Sequence, residues 1–175
     1  MLNAWICILM TILQNLCQWL YDLPTSTALR ESDVVFPLVE TFHVLAITLI
    51  AGTIVTVDLR ISGLIFRGEP LTRITRTLLP YTWYGFALMV ITGLPLFVAE
   101  AAKLYGNPAF RVKLLLLGFA GLNALIFHGT AFRAVEELDR RGVTSLPARV
   151  FAGTSILLWS GIIVSGRLIA VFHGH

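Results

Sequence analysis

The stretch LLPYTWYGFALMVITGLPLFVA, residues 78–99, contains no Asp, Glu, Lys, Arg or His. A helix rises about 1.5 Å per residue, and about 20 mostly apolar residues cross the hydrocarbon of a bilayer. The segment therefore reads as a membrane span. Working outward from it, residues 34–57 are equally apolar apart from Glu40 and His43. Residues 114–132 are interrupted only by His128, and residues 150–166 continue past Arg167 to Phe172. Four spans result, the second and third joined by a Tyr105-Gly106-Asn107-Pro108 turn. Pro37, Pro80, Pro108 and Pro147 stand near the starts of the spans, where a missing N–H is harmless. Pro95 lies inside the second span and predicts a kink. The expected fold is an all-α membrane protein: four transmembrane helices in an antiparallel bundle over residues 32–175, preceded by an N-terminal segment, residues 1–31.

Composition agrees. Of 175 residues, 57% are apolar and 13% charged, where a soluble domain carries about 25% charged residues. Two cysteines, Cys7 and Cys17, exclude a disulfide scaffold or a Cys-based zinc site. A net charge of +3, spread along the chain, argues against a nucleic-acid partner. No nucleophile elbow, HExxH, P-loop, dinucleotide-binding glycine pattern or CxxCH is present.

Basic residues divide unequally between the two sides. Arg60, Arg67, Arg73, Arg76, Arg133, Arg140, Arg141 and Arg149 fall at the loops joining spans one to two and three to four, against Arg30, Lys103, Arg111, Lys113 and Arg167 opposite. The first side is expected to be cytoplasmic, with both termini outside. In residues 1–21, Asn3, Cys7, Thr11, Gln14, Asn15 and Gln18 share one face and Trp5, Leu9, Ile12, Leu13, Leu16 and Leu20 the other. That spacing reads as an amphipathic helix in the interface. Its polar face lacks Lys and Arg, which leaves a fifth, partner-packed helix open. A cleaved signal peptide is not expected, since no basic stretch precedes the apolar one. The charged run VEELDRR, residues 135–141, reads as a solvated extension of the third span's helix.

Ionisable residues within spans are costly and functional by default. Counting from the starting prolines at about 1.5 Å per residue gives two polar levels. The outer one holds Glu40, His43, Lys113, Glu100 and Arg167. The inner one holds Asp58, Arg60 and His128, with Asn123 between. Glu40, His43, Lys113 and Arg167 are expected to point inward and lie together, because an unpaired charge in hydrocarbon is expensive. Bland readings stand beside these. Lys113 can snorkel, Asp58 can pair with Arg60, and His128 can bond across helices. Tyr81, Trp83 and Tyr84 suit an interfacial belt. Gly118, Ala120, Gly121, Ala124, Gly161 and Ser165 suit close helix packing.

Imidazole with nearby bases suggests a haem b held between helices, with His43 as the metal ligand and Lys113, Arg167 or Glu40 around it. His128 lies about 21 Å deeper by the same count and cannot share that iron with His43, so Lys113, His173 or no protein ligand would complete the site. The leading expectation is a haem-b-binding redox protein or an electron-transfer subunit of a membrane complex, working with a quinone or a further subunit. A cofactor-free accessory subunit and a proton-coupled small-solute transporter are the alternatives.

The stretches ALRES, FPLVETFHVLAITLIAGTIVTVDLR, LPYTWYGFALMVITGLPLF, NPAFRVKLLLLGFAGLNALIFH and LLWSGIIVSGRLIA resemble an uncharacterised family of small bacterial membrane proteins, domain of unknown function 6644. The resemblance covers about residues 28–170 and implies a bacterial inner-membrane location. A fainter similarity, to membrane haem-binding protoporphyrinogen oxidases, rests on the order His43, Arg60, Lys113-Leu114, His128. That similarity implies haem binding. Leu49-Ile50 replaces that family's Trp-Phe pair, and its Asn-Glu-Pro stretch is missing, so porphyrinogen oxidation is not implied.

Overall fold

A computed structural model describes residues 2–130 and 145–172. Every element among them is helical: α1 (Leu2–Tyr21), α2 (Pro24–Arg30), α3 (Val35–Ile61), α4 (Leu71–Ala99), α5 (Ala101–Gly106), α6 (Pro108–Thr130) and α7 (Leu146–Phe172). Four are long and apolar enough to cross a bilayer: Val35–Ile61, Leu71–Ala99, Pro108–Phe127 and Leu146–Val171. The expected all-α architecture with four spans is what the chain adopts. The charged run at residues 135–141 lies outside the described residues, as do Arg133, His173 and His175.

Helix starts follow local chemistry. Asn107 opens α6: its Oδ1 accepts from the backbone N–H of Ala109 at 2.9 Å and of Phe110 at 3.2 Å, satisfying donors that a first turn otherwise leaves orphaned. Its Nδ2 donates to the Ile169 carbonyl at 3.2 Å, so one buried amide caps α6 and ties it to the far end of α7. Pro108 fills the first position of α6. Pro80, expected near a span's start, instead lies well inside α4. That helix begins at Leu71, and its first two turns carry Arg73 and Arg76 ahead of the apolar stretch. The apolar run marked the hydrocarbon crossing, and the helix outgrows it.

The spans form two hairpins, α3 with α4 and α6 with α7, and α3 against α7 makes the main contact between them. Close approach depends on glycine. A Cβ added at Gly85 of α4 would stand 2.9 Å from Ile50 Cγ1 and 3.3 Å from the Ala46 carbonyl oxygen of α3. At Gly161 of α7 it would meet Leu116 Cδ1 of α6 at 3.0 Å. Gly118 and Gly121, read from sequence as packing positions, have open space beside them. They lie off the stripe Lys113, Leu116, Leu117, Ala120, Asn123, Phe127 that α6 turns toward its neighbours. Polar side chains add cross-links inside the bilayer. Thr82 donates to Thr53 Oγ1 at 2.9 Å between α4 and α3, and Asn123 Nδ2 to the Phe151 carbonyl at 3.3 Å between α6 and α7.

The N-terminal helix sits at the end of the bundle where α4 gives way to α5, packed on α5, α4 and α2. Its amide stripe bonds locally: Thr11 to the Cys7 carbonyl at 2.9 Å, Gln18 to Asp22 at 3.1 Å. Trp5, Leu9, Leu13, Leu16 and Trp19 are exposed. Arg30 fastens this layer. Its Nη1 donates to the carbonyls of Ala99 at 2.9 Å and Tyr21 at 3.3 Å, and its guanidinium lies 3.8 Å over the Tyr21 ring.

Asn107→Ala removes both cap bonds and the link to α7 together. It is expected to cost about 1–3 kcal/mol of stability, read as a lowered unfolding midpoint in micelles. Asn15→Ala, on the local stripe of α1, should leave the midpoint unchanged.

Candidate functional site

His43 lies on the face of α3 that meets α4. The α4 backbone gives it room at Gly93, where a Cβ would stand 2.8 Å from the imidazole Cε1 and 3.3 Å from Nδ1. Nδ1 is 3.0 Å from Thr92 Oγ1. The Thr92 hydroxyl has one proton, and donates it to the Leu88 carbonyl at 2.7 Å. With the hydroxyl proton on the Leu88 carbonyl, Thr92 accepts from an Nδ1-protonated His43, the tautomer in which Nε2 carries the lone pair. The Met89 carbonyl also lies within reach of the ring. Thr92 is buried and His43 half-buried, so the ring is held from one helix and oriented by its neighbour.

Lys113 approaches from the other hairpin. It is half-buried on α6, with Nζ 3.7 Å from where a Cβ on Gly166 of α7 would stand. Its ammonium is close enough to act on the His43 imidazole through space. No hydrogen bond or ion pair joins the two, and among the described residues Lys113 has no acceptor. His43 and Lys113 thus stand on opposite hairpins, near enough to interact through space.

The rest of the expected outer cluster is elsewhere. Glu40 and Arg167 are both exposed, so the expectation that they point inward is corrected. Six residues into α3, Glu40 is on an arc that neither α4 nor α7 covers, and a long side chain so near a helix end can reach headgroups. Arg167, near the C-terminal end of α7, is exposed likewise. Glu100 closes α4 and pairs with Lys103 at 2.9 Å in the next turn. At the inner level Asp58 and Arg60 are both buried but unpaired with each other: Arg60 gives its Nε and Nη2 to the Glu69 carbonyl, at 3.0 and 2.7 Å. The expected Asp58–Arg60 pair gives way because the α3–α4 loop presents that carbonyl to the guanidinium. The side chain of His128 lies outside the described residues.

Sequence reasoning missed Thr92 and Gly93. The one available signal was a Thr-Gly pair in the middle of an otherwise apolar span, on the helix antiparallel to His43 and at its depth. Gly93→Ala is expected to push the ring off Thr92, and Thr92→Val to remove its acceptor. In 15N spectra of the imidazole, both should lose the Nδ1-protonated pattern, while Gly118→Ala, with open space beside it, should keep it.

No curated protein and no solved structure matches this chain. One family does, across residues 32–172, which takes in all four spans and both His43 and Lys113. The chain belongs to that family, the family of unknown function DUF6644.

Proposed function

We propose that this protein is a haem-b-binding redox protein or electron-transfer subunit of a membrane complex, seated in a bacterial inner membrane with both termini outside. The observation that carries the proposal is the unmatched pair: a His43 Nε2 lone pair and a Lys113 ammonium on opposite hairpins, bonded neither to each other nor to other described residues. Unpaired polar groups inside a bilayer are expensive. A ligand offering a metal and an anionic group relieves both at once.

The residues present fit such a group. Imidazole with its Nδ1–H tied to a second residue is the usual state of an iron-ligating histidine, and a lysine ammonium suits a propionate. The described residues hold no cluster of three His, Cys, Asp or Glu, which suits a macrocycle-borne iron needing one protein ligand better than a bare ion. When bound, haem supplies a one-electron couple. Within the chain, His43 binds, Thr92 fixes the ring's orientation, and Lys113 offsets negative charge in hydrocarbon. A quinone dissolved in the bilayer is the natural electron partner for a site at this depth.

A cofactor-free accessory subunit is the second reading, favoured by α6. None of its most apolar window is buried within the chain, and Gly118 and Gly121 leave that surface flat enough for another helix.

Purified protein expressed with ample haem should show a Soret band that shifts on dithionite reduction. His43→Ala should lose the band with helix content intact, and Lys113→Met should lower haem retention. No Soret band in the parent protein, or an unaltered spectrum in His43→Ala, would sink the proposal.

A further inference from the structure

At the opposite end of the bundle, α3 meets α7 through a carboxyl group that the proposed site does not use. Asp58 is 7% exposed, one turn from the end of α3. The Ser155 hydroxyl of α7 lies within reach of its carboxyl group. Its Oδ2 is buried with no hydrogen-bond partner among the described residues. Beside it lies the apolar cluster of Ile61, Leu71, Ala148 and Ala152, with Val57 and Phe127 against it.

Among the described residues no cation compensates this carboxyl. On α3 itself, Arg60 is committed to the Glu69 carbonyl. On α4, Arg73 pairs with the Glu69 carboxylate at 3.0 Å and Arg76 is exposed. On α7, Arg149 is exposed and reaches toward Gly63, 3.8 Å from that residue's Cβ position. None of these forms an ion pair with Asp58. From α6, Phe127 packs at this level and His128 follows it in the chain. A metal ion is an equally poor match, since hard cations take six or more oxygens and here one carboxyl and one hydroxyl converge. A carboxylate so placed would stand unpaired in hydrocarbon, whereas a carboxylic acid suits the site.

We infer that Asp58 is a proton-binding site built into the seam between the two hairpins. The acid is neutral while α3 lies against α7. It gives its proton to water at the α3–α4 loop end when α7 moves away, and the carboxylate left behind is hydrated there. Reprotonation lets the seam close again, so proton release and hairpin separation are one event. The inference is independent of the haem proposal, as it concerns another depth and another helix pair: fifteen residues along α3, about 22 Å, separate His43 from Asp58.

Infrared difference spectra of the full chain in nanodiscs, without added haem, test it. The closed protein should show a carboxylic-acid carbonyl band that alkaline titration removes, and Asp58→Asn should lack it. Ser155→Ala keeps the acid but removes its donor, so the band should move to higher frequency. That variant keeps the test alive should Asp58→Asn fold poorly. Hydrogen exchange at residues 54–61 and 148–158 should rise over the same titration in the parent protein and become pH-independent in Asp58→Asn. An acid band absent from the closed parent overturns the inference. So does a band that titrates without any change in seam exchange, one that responds to sodium and not to pH, or one that appears only in His128→Gln, which would make Asp58 half of an ion pair.

Discussion

Where Gly85 and Gly93 let the α4 backbone lie against α3, the first hairpin closes too tightly for a Cβ. The placement of His43 depends on that approach. A polar ring inside a bilayer needs a partner within about 3 Å, and hydrocarbon offers none. Gly93 brings the neighbouring backbone close enough for Thr92 to supply one. The same closeness lets Thr82 reach Thr53 further along the helix pair. In water, apolar contact would drive this packing. Between helices in lipid it rests on van der Waals fit and on such bonds, so the glycines and threonines of α3 and α4 act as one device.

The second hairpin is built differently. Gly161 admits Leu116, and Asn123 and Asn107 each donate to a carbonyl of α7. Two bonds and one packing contact thus join α6 and α7 at three heights, and none of the most apolar window of α6 is buried within the chain. Among the described residues, two polar groups that lack partners, Lys113 and one oxygen of Asp58, stand where the two hairpins face each other.

The sequence made the spans legible because a bilayer imposes a length and a composition that few other environments do. It also singled out His43 and Lys113, since an ionisable group in hydrocarbon is conspicuous without any structure. Glu40 and Arg167 show where such reasoning stops. Depth can be counted along a helix, but which arc a neighbour covers depends on how the helices are arranged, and counting does not contain that. Glu40 is one turn from His43 and yet exposed, because α4 covers the His43 side alone. Thr92 and Gly93 were missed for the opposite reason. Neither is unusual in a membrane helix, and their meaning arises only from the residue placed against them. Gly118 and Gly121 carry the same small-residue signal as Gly161 but face open space, so small residues announce that helices can approach, not where they do.

The same logic bears on how the two ends of α3 relate. This helix packs both within its own hairpin and against the other, toward α4 at His43 and toward α7 at Asp58. Its twenty-seven residues from Val35 to Ile61 carry both groups. A movement of α7 away from Asp58 also moves Lys113, because Lys113 rests on Gly166 of α7 and α6 is bonded to α7 along its length. On the inference that the inner seam opens, the distance between Lys113 and His43 would change with it. The inner seam and the proposed haem site rest on different residues, yet the α6–α7 hairpin contributes to both, with Lys113 at one level and Ser155 at the other.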